Sequence, residues 1–337
     1  MAFWGGRRVL ITGVNGFVGS NLAMHLLRLG AEITGLERNL DRRSMLHFEG
    51  AASSIQFVNG DLIDRSFVER VLAEGDFEVC FHLAAQVEIG VGMLSPYSTF
   101  ETNIRGTYTL LDGLRTHAPS IAAVIVASTD KAYGEYPANE MPYRETYPLQ
   151  PKYPYDTSKA CADMLARSYG NEIFRLPVIV TRFCNIYGPG QLNFSALVPD
   201  ASRAALRLGR FIPRGDGTHV RDFIFSRDVA HLYSKMAETA IDAPERYRGA
   251  IYNAGTNEPR TVREVIETIF RSCNNEPALQ EIVEMMAGAR TTGEISVQYM
   301  DFDVVERDFG WRPVTSFGEG IRETIEWYQR YLTAERE

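Results

Sequence analysis

Short apolar runs alternate with helical segments through the first half of this chain of 337 residues, and this alternation restricts the fold more than any other feature. The runs occupy residues 8–12, 32–36, 55–58, 79–83, 122–127 and 177–181. Most are continuously apolar, as strands buried on both faces are, and segments such as 20–29 and 66–72 have helical periodicity. The sequence therefore predicts an α/β fold with a doubly wound parallel sheet.

The pattern changes after about residue 184, where glycine and proline interrupt shorter segments. A helical stretch at 229–239 and an apolar run at 250–254 fit a return to the sheet, and residues from 261 onward have a helical pattern. We therefore expect a larger domain at 1–184, with return segments near 222–255, and a smaller, mixed α/β C-terminal domain at 185–337. Two domains with an interleaved boundary imply a cleft between them.

The composition argues against several classes of partner. Acidic residues outnumber basic ones by 43 to 35, so the formal net charge of −8 makes binding to a nucleic acid backbone unfavourable. No apolar run approaches the roughly 18 residues of a membrane span, and the first residues lack the apolar core of a secretory signal. The four cysteines and six histidines lack metal-ligand spacing. We expect a cytoplasmic protein with reduced, mostly buried cysteines, no metal, and no membrane or nucleic acid partner.

A glycine-rich turn follows the first predicted strand directly. The sequence GVNGFVG places Gly13, Gly16 and Gly19 at intervals of three, and a helix is expected to begin near residue 15 or 16. Glycines allow a tight turn and the close approach of a pyrophosphate to the helix N-terminus, where free N–H groups favour negative charge. The position after a first strand predicts a Rossmann-like dinucleotide site. Its other expected members in this turn are Asn15, Phe17 and Val18.

The end of the second strand bears on the form of the cofactor. Glu37 would bind the ribose hydroxyls of NAD, whereas Arg38 would suit the 2′-phosphate of NADP. The register places Arg38 at the usual acidic position, but a shift of one residue reverses this assignment, so NAD and NADP both stay open. Further residues at strand ends are expected to line the cofactor: Asp61, Leu62, Leu83, Ala84 and Ala85.

Tyr155 and Lys159 lie four residues apart at the start of a predicted helix, on the same face. A neighbouring ammonium favours the phenolate, so we expect Lys159 to lower the pKa of Tyr155 and to make the phenol a base. By itself this spacing is common on helix surfaces. Thr129 ends the fifth strand at the edge where doubly wound sheets bind ligands, and its hydroxyl can hydrogen-bond a substrate.

Together these motifs resemble the extended short-chain dehydrogenase/reductase superfamily, NAD-dependent epimerase/dehydratase family, over essentially the whole chain. Besides the turn and the Tyr/Lys pair, the resemblance is carried by LAA after the fourth strand, Asn103 with Gly106, NIYGPGQ at 185–191 and RDFIF at 221–225. STDKAYG, PYDTSK and NFSALVP are similar to nucleotide-sugar 4,6-dehydratases and 4-epimerases, most closely to the CDP-glucose 4,6-dehydratase-like branch.

The resemblance implies an acid/base pair directly after Thr129, at Asp130 and Lys131. In such a reaction hydride leaves carbon 4 of the hexose while Tyr155 accepts the hydroxyl proton, Lys131 removes the proton on carbon 5 and Asp130 protonates the departing hydroxyl of carbon 6. Hydride then returns to carbon 6, so the cofactor stays tightly bound and is regenerated in each turnover. Glu135 is an alternative base.

The nucleotide base is less well specified. The dTDP-glucose dehydratases of this family have Asp-Glu where this chain has Asp130 and Lys131, which argues against that subgroup. The RDF segment, in turn, is less typical of the CDP-glucose enzymes. A CDP-glucose-like substrate is favoured, and the base stays open.

The nucleotide-sugar is expected to contact mainly the second half of the chain. Arg221 is the first candidate for the diphosphate, because a guanidinium matches phosphate oxygens, with a surface ion pair to Asp222 or Asp228 as the alternative. Arg182 and Arg214 are weaker candidates of the same kind. The other expected substrate contacts are Gln86, Asn185, Asn193, Leu197 and Val198.

Three functions follow from these observations. The leading one is a nucleotide-sugar 4,6-dehydratase; a 4-epimerase needs only the first oxidation, so Asp130 and Lys131 would then be bystanders. The third is a non-catalytic Rossmann protein that senses a dinucleotide, against which Tyr155 and Lys159 argue because binding alone requires no base. The resemblance also implies a homodimer through helices near 103–114 and 155–169.

Overall fold

The computed structural model describes residues 3–39, 41–289 and 295–335. The strands are β1 (Arg8–Thr12), β2 (Glu32–Glu37), β3 (Ile55–Asn59), β4 (Val79–His82), β5 (Ala123–Thr129), β6 (Val178–Phe183), β7 (Asn185–Tyr187), β8 (Val220–Arg221), β9 (Phe223–Phe225), β10 (Ile251–Ala254), β11 (Arg260–Thr261) and β12 (Val297–Gln298). The helices are α1 (Phe17–Arg28), α2 (Met45–Phe48), α3 (Arg65–Gly75), α4 (Ile89–Leu94), α5 (Pro96–Phe100), α6 (Gly106–His117), α7 (Pro154–Tyr169), α8 (Leu197–Ala205), α9 (Ser226–Asp242), α10 (Pro244–Tyr247), α11 (Val262–Ser272), α12 (Glu276–Ala287), α13 (Asp303–Phe309) and α14 (Phe317–Ala334). A π-helical turn, Glu101–Arg105, connects α5 to α6, and 3₁₀ turns occupy Ala51–Ser54, Asp130–Tyr133 and Ala138–Glu140.

Seven parallel strands form the main sheet, in the order β10-β6-β5-β4-β1-β2-β3. All six runs that the sequence predicts as strands are present, with bounds that differ by at most two residues. β10 returns to the sheet beside β6, as predicted for residues 250–254. The strand order reverses between β1 and β4, and doubly wound sheets bind ligands in the crevice at such a point.

Helices cover both faces of this sheet. α1 and α9 pack together on one face, where Leu22 and Met236 join Val9 of β1 in one core. α3, α6 and α7 cover the other face, where Leu111 packs with Leu10 of β1. Neighbouring residues of a strand therefore enter opposite cores, which explains the continuously apolar runs. The predicted Rossmann-like, doubly wound sheet is confirmed.

A smaller part with mixed sheets follows. β8 pairs antiparallel with β11 and parallel with β12, and β7 pairs parallel with β9. α8, α11, α12 and α14 contribute to a separate core that contains Ile266, Met286 and Ile321. The predicted mixed α/β architecture is confirmed. We propose that residues 1–184 with the return segments near 222–255 form the dinucleotide-binding domain, and that the rest of 185–337 forms the substrate domain.

The start of α1 lies one residue from its predicted position, and one other local prediction was wrong. α1 begins at Phe17, because Gly16 before it has an extended backbone with a φ of −69° and a ψ of 168°. The region after residue 261 is not entirely helical, since Val297 and Gln298 pair with β8. A strand of two residues carries no periodic signal, so only its partner strand defines it.

None of the helices in the described ranges is long and apolar enough to cross a membrane. The four cysteines are free, and Cys80 and Cys184 are buried as expected, whereas Cys161 and Cys273 are partly exposed.

Arg182 belongs to the protein interior rather than to a ligand site. Its side chain on β6 is 1% exposed, and Nε and Nη2 donate to the two carboxylate oxygens of Asp163 on α7, at 2.8 and 3.0 Å. Nη1 donates to the hydroxyl of Tyr133 at 2.8 Å. The buried guanidinium binds Asp163 and Tyr133 and ties α7 to the sheet, so the weaker prediction of Arg182 as a diphosphate ligand was wrong.

Replacement of Arg182 by methionine should destabilise the fold by about 3–5 kcal/mol, because Asp163 would stay buried without a partner. Arg271→Met is a matched control, since it removes an exposed ion pair with Glu267 at 2.9 Å on α11 and should change stability little. Chemical denaturation of both variants measures the free energies of unfolding. Equal stabilities would show that the buried pair does not hold α7 in place.

Candidate active site

The glycine-rich turn between β1 and α1 has the backbone geometry that a dinucleotide site needs. Gly13 has a φ of +70°, and a Cβ atom there would lie 2.8 Å from the Cα of Ala84. A Cβ atom at Gly19 would lie 2.2 Å from the carbonyl oxygen of Gly13. Gly16 is the N-cap residue, so no side chain stands there, and the half-buried Phe17 and Val18 form the first turn of α1. The turn therefore leaves room for a phosphate at the helix N-terminus.

The end of β2 resolves the register that the sequence left open. Glu37 is the last residue of β2 and is 6% exposed, whereas Arg38 is exposed. Burial raises the pKa of Glu37, and the nearby Asp41 raises it further. The acidic residue, not Arg38, therefore lies inside at this strand end, which corrects the register assumed from the sequence.

The predicted residues after β3 and β4 lie at the same edge of the sheet as the glycine turn. The backbone N–H groups of Leu83 and Ala84 each donate to Thr12 Oγ1 at 3.2 Å. Asp61 Oδ1 accepts from the N–H of Ile63 at 3.1 Å and so stabilises the turn after β3. Two further predicted residues, the buried Leu62 and the half-buried Ala85, complete these turns.

Thr129, Tyr155 and Lys159 come together where β5 meets α7. β5 ends at Thr129, and α7 begins at Pro154 and packs against β5. Lys159 Nζ donates to the carbonyl oxygen of Ala127, and the side chain of Thr129 hydrogen-bonds Tyr155. The structure thus assembles the hydroxyl, phenol and amine that the sequence motifs predict as neighbours.

Burial has the largest influence on the pKa values of Tyr155 and Lys159. It raises the pKa of Tyr155, the carboxylates of Asp130 and Asp156 raise it further, and the hydrogen bond with Thr129 lowers it. Burial also lowers the pKa of Lys159 to about 8, against the opposing effect of Asp163. The expectation that Lys159 lowers the pKa of Tyr155 was wrong for the chain alone, since desolvation raises this pKa and the hydrogen bond with Thr129 is the effect that opposes it.

Asp130 and Lys131 form a pair next to Thr129. Asp130 Oδ1 accepts from Thr129 Oγ1 at 3.0 Å and lies 3.8 Å from Lys131 Nζ. The side chain of Asp130 is 1% exposed and that of Lys131 is 23% exposed. Glu135, the alternative base, is exposed on the loop that follows. Asp130 and Lys131 are therefore more enclosed than Glu135, and they lie beside the group at the junction of β5 and α7.

A cavity of about 150 Å³ lies in the smaller part of the protein. It brings together two of the predicted substrate residues, Leu197 and Arg214. Ile266 and Met286 supply apolar wall, and His219 adds a polar group that the sequence analysis did not single out. Apolar walls with a few polar groups are typical of pockets for small ligands.

Other predicted substrate residues make contacts within the protein. Asn185 Nδ2 donates to the carbonyl oxygen of Asp222 at 3.1 Å, and Asn193 Oδ1 accepts from the N–H of Ser195 at 3.0 Å in a turn. Val198 is buried in the core of the smaller part, which explains it as a packing residue. Gln86 lies in the turn after β4, where Nε2 donates to the carbonyl oxygen of Glu88.

Arg221 lies on β8, where Nη1 donates to the carbonyl oxygens of Val220 and Ser296 at 2.8 and 3.4 Å. The two carboxylates considered as alternative partners are engaged elsewhere. Asp222 accepts from the backbone N–H groups of Thr256 and Asn257, at 2.9 and 3.2 Å. Asp228 accepts from the N–H groups of residues 314 and 315.

Asn103 is a structural link that the sequence analysis named only as part of the resemblance. It lies in the π-helical turn, and such turns are frequent at functional sites. Its Oδ1 accepts from the N–H of Gln86 at 2.7 Å, and its Nδ2 donates to the carbonyl oxygen of Gln86 and to Ser158 Oγ, at 3.0 and 2.9 Å. Asn103 thereby connects the turn after β4 to α7.

Asp156 is a second residue that sequence reasoning missed. Burial raises its pKa to about 6, with Lys131 lowering it and Asp130 raising it. In the sequence, only its position directly after Tyr155 pointed to a role in the site. The motif does not show whether the side chain is buried.

The residues present fit a dinucleotide. Asn15 Nδ2, Glu37 Oε2 and Ser128 Oγ are buried atoms without a hydrogen-bond partner in the described part of the chain, and Asn15 is oriented by Ser44, which donates to its Oδ1 at 3.0 Å. The described residues contain no cluster of three His, Cys, Asp or Glu side chains suited to a metal ion. The sheet, the glycine turn and the Tyr155 group define a dinucleotide-dependent enzyme of the extended short-chain dehydrogenase/reductase class.

Comparison with known proteins agrees with this class. The sequence model of the family described as GDP-mannose 4,6 dehydratase matches residues 10–324. A dTDP-glucose 4,6-dehydratase of Neisseria gonorrhoeae is 30% identical over 96% of this chain and 96% of its own length. The chain is also 30% identical to a trifunctional UDP-glucose 4,6-dehydratase, 3,5-epimerase and reductase of Arabidopsis thaliana, over 97% of this chain, and spans 48% of that protein.

Solved structures extend the likeness to three dimensions. The crystal structure of a dTDP-glucose 4,6-dehydratase from Bacillus anthracis in complex with NAD superposes with a TM-score of 0.82 at 29% sequence identity. The superposition covers 96% of this chain and 97% of that one. The chain belongs to the GDP-mannose 4,6 dehydratase family, and the predicted membership of the extended nucleotide-sugar dehydratases is confirmed, as is the prediction of an enzyme.

Glu37→Gln should weaken the binding of NAD about tenfold, because ribose hydroxyls would lose a charged acceptor worth at least ~1.4 kcal/mol. Arg38→Gln, at the exposed neighbouring position, should leave NAD affinity nearly unchanged. Fluorescence titration of both variants with NADH and NADPH measures the effect. A preference for NADPH that disappears only in Arg38→Gln would contradict the assignment of Glu37.

Proposed function

We propose that this enzyme is a nucleotide-sugar 4,6-dehydratase that converts an NDP-hexose to its NDP-4-keto-6-deoxyhexose. The enclosed pair of Asp130 and Lys131 beside Thr129 carries the proposal. Oxidation at carbon 4 requires only the Tyr155 group, which an epimerase would also need. Elimination of water requires in addition a base for the proton on carbon 5 and an acid for the hydroxyl on carbon 6, and this pair supplies both.

In the oxidation, Tyr155 accepts the proton of the hydroxyl on carbon 4, and Thr129 holds that hydroxyl in place. Because burial raises the pKa of Tyr155, the phenol needs positive charge nearby before it acts as a base. Lys159, anchored to the carbonyl oxygen of Ala127, is the fixed source of that charge within the chain. When bound, NAD supplies a hydride acceptor for carbon 4, a hydride donor for carbon 6 and a positively charged nicotinamide ring.

In the elimination, Lys131 and Asp130 act as one unit. The step requires a neutral amine at Lys131 and a neutral acid at Asp130, so we propose that the pair redistributes one proton when the substrate binds; Lys131 Nζ lies 3.8 Å from Asp130 Oδ1. Lys131 then removes the proton on carbon 5, and Asp130 donates its proton to the departing hydroxyl of carbon 6. Both residues end in their starting charge states, so the pair is ready for the next turnover. Asp130 Oδ2, which has no partner in the described chain, is the oxygen available to donate a proton to the hydroxyl of carbon 6.

We infer that the cofactor is NAD, since Glu37 rather than Arg38 is buried at the end of β2. The structure also supports retention of the cofactor through turnover. α14, from the smaller part, reaches the segment that contains Ser44, the partner of Asn15: Tyr331 donates to the carbonyl oxygen of Arg43 at 3.0 Å, and Trp327 Nε1 donates to Glu49 at 2.9 Å. These contacts hold in place the segment that orients Asn15, which would help to retain a bound dinucleotide.

The cavity of about 150 Å³ at Leu197 and Arg214 is the place we propose for the nucleotide end of the substrate. The relatives named above act on dTDP-glucose and UDP-glucose, which favours a pyrimidine nucleotide. The preference for a CDP-glucose-like substrate, inferred from Lys131, stays a prediction.

We also propose a homodimer. Tyr97, Tyr108 and Met164 are 75%, 41% and 60% exposed on α5, α6 and α7, and both α5 and α6 contact α7. Exposed apolar side chains concentrated on adjacent helices are typical of an interface, and a two-fold axis would bury the same patch on both copies.

Incubation with CDP-, GDP-, UDP- and dTDP-glucose, followed by mass spectrometry, tests the function. We expect at least one of the pyrimidine nucleotide-sugars to lose one water. If the protein is purified with NAD bound, the reaction should need no added cofactor. A product of unchanged mass but altered configuration would identify an epimerase instead, and no change with any sugar would favour a sensor.

Lys131→Met should lower the rate of dehydration about 10²–10⁴-fold, because the base for carbon 5 is lost, while NADH affinity stays unchanged. Lys235→Met, on α9, is the control and should keep full activity. Product formation is followed by mass and cofactor binding by fluorescence. Undiminished dehydration by Lys131→Met would remove this residue from the mechanism.

A further inference from the structure

His82, the last residue of β4, lies at the centre of a buried hydrogen-bond chain. Its Nδ1 is 2.8 Å from Thr12 Oγ1 on β1, and its Nε2 is 2.9 Å from Thr107 Oγ1 on α6. Thr107 Oγ1 lies 2.6 Å from the carbonyl oxygen of Asn103. All four residues are buried. The chain of bonds therefore runs through the protein from β1 to the π-helical turn without access to water.

The groups at the two ends fix the direction of every hydrogen bond in this chain. The N–H groups of Leu83 and Ala84 donate to Thr12 Oγ1, so the single hydroxyl hydrogen of Thr12 is free to go to His82 Nδ1. At the other end a carbonyl oxygen only accepts, so Thr107 donates to it and must itself accept from His82 Nε2. Both ends require the same neutral tautomer, with the proton on Nε2.

The surroundings of the imidazole agree with this tautomer. Burial, together with a smaller effect of the charge of Lys159, lowers the pKa of His82 to about 3. An imidazolium would present a second N–H to Thr12 Oγ1, which already accepts twice. The ring is therefore neutral throughout the pH range in which the enzyme would work, and it does not act as an acid or base there.

We propose that neutral His82 is a positioning residue that holds the cofactor-binding turn after β4 in register with the helix that carries Tyr155 and Lys159. At one end of the chain, Thr12 orients the N–H groups of Leu83 and Ala84. At the other end, Asn103 holds Gln86 and Ser158, and Ser158 lies between the two reactive residues of α7. The proposal rests on the proposed function for its effect on rate.

His82→Phe keeps a ring of similar size and removes both nitrogen atoms. We expect a fall in kcat of tenfold or more and a weaker affinity for NADH, because the turn and Asn103 lose their common support. KM for the nucleotide-sugar should change less than twofold, since the nucleotide cavity is formed by other elements. A correctly folded His82→Phe with kcat and NADH affinity within twofold of the unmodified enzyme would overturn the proposal.

Thr107→Val tests the same chain with a smaller change, in case His82→Phe folds poorly. It breaks the link to Asn103 and keeps the imidazole, so kcat should fall in the same direction. The double variant His82→Phe/Thr107→Val should have a kcat no lower than that of the more damaging single variant, because both substitutions break the same chain of hydrogen bonds. If the losses in kcat of the two single variants add in the double variant, His82 and Thr107 do not act as one positioning unit.

His25→Phe is the control for the loss of an imidazole inside the fold, since His25 is half-buried. Burial lowers the pKa of His25 to about 4, and its ring bonds Ser234 at 3.0 Å on the other side of the sheet. This variant should lower Tm without changing NADH affinity or kcat, whereas an equal loss of affinity would show that the loss of another imidazole from the fold has the same effect. If the unmodified protein dehydrates no sugar, the proposed function fails, and the comparison of NADH affinities still decides the role of His82.

Discussion

Burial of the parallel sheet on both faces is the constraint on which the candidate active site depends. Because helices cover each face, the backbone polar groups of the inner strands bond to neighbouring strands, and most of the strand side chains are apolar. Parallel pairing then brings all the carboxyl ends to one edge. Residues that are far apart in sequence, such as Gly13, Glu37, Ala84 and Thr129, meet there for this reason alone.

The same burial sets the chemistry of the groups at that edge. It disfavours the charged forms of Tyr155, Lys159 and His82 alike, but the outcome differs with the partners that each side chain has. His82 has two hydroxyl partners that select one neutral tautomer, so it is suited to holding structure. Tyr155 has a hydroxyl partner and a nearby amine, so it is suited to moving a proton once a ligand adds positive charge.

Particular residues show how much of the fold and of the candidate site could be predicted from the sequence. The six strand positions and the start of α7 followed from runs and periods, because a buried parallel strand and an amphipathic helix each leave a pattern over several residues. Glu37 against Arg38 could not be decided in that way, since a register shift of one residue exchanges inside and outside. Arg182 likewise looked like a phosphate ligand until Asp163, from another element, proved to be its partner.

The sequence by itself determined the doubly wound sheet, the glycine turn and the spacing of Tyr155 and Lys159, because each of these leaves a recognisable pattern among residues close along the chain. Only the tertiary structure decided which side chains are buried beside each other: the pair of Asp130 and Lys131, the link through Asn103, and the neutral state of His82. Desolvation and hydrogen-bond direction depend on atoms contributed by distant strands and helices, and no local pattern records them.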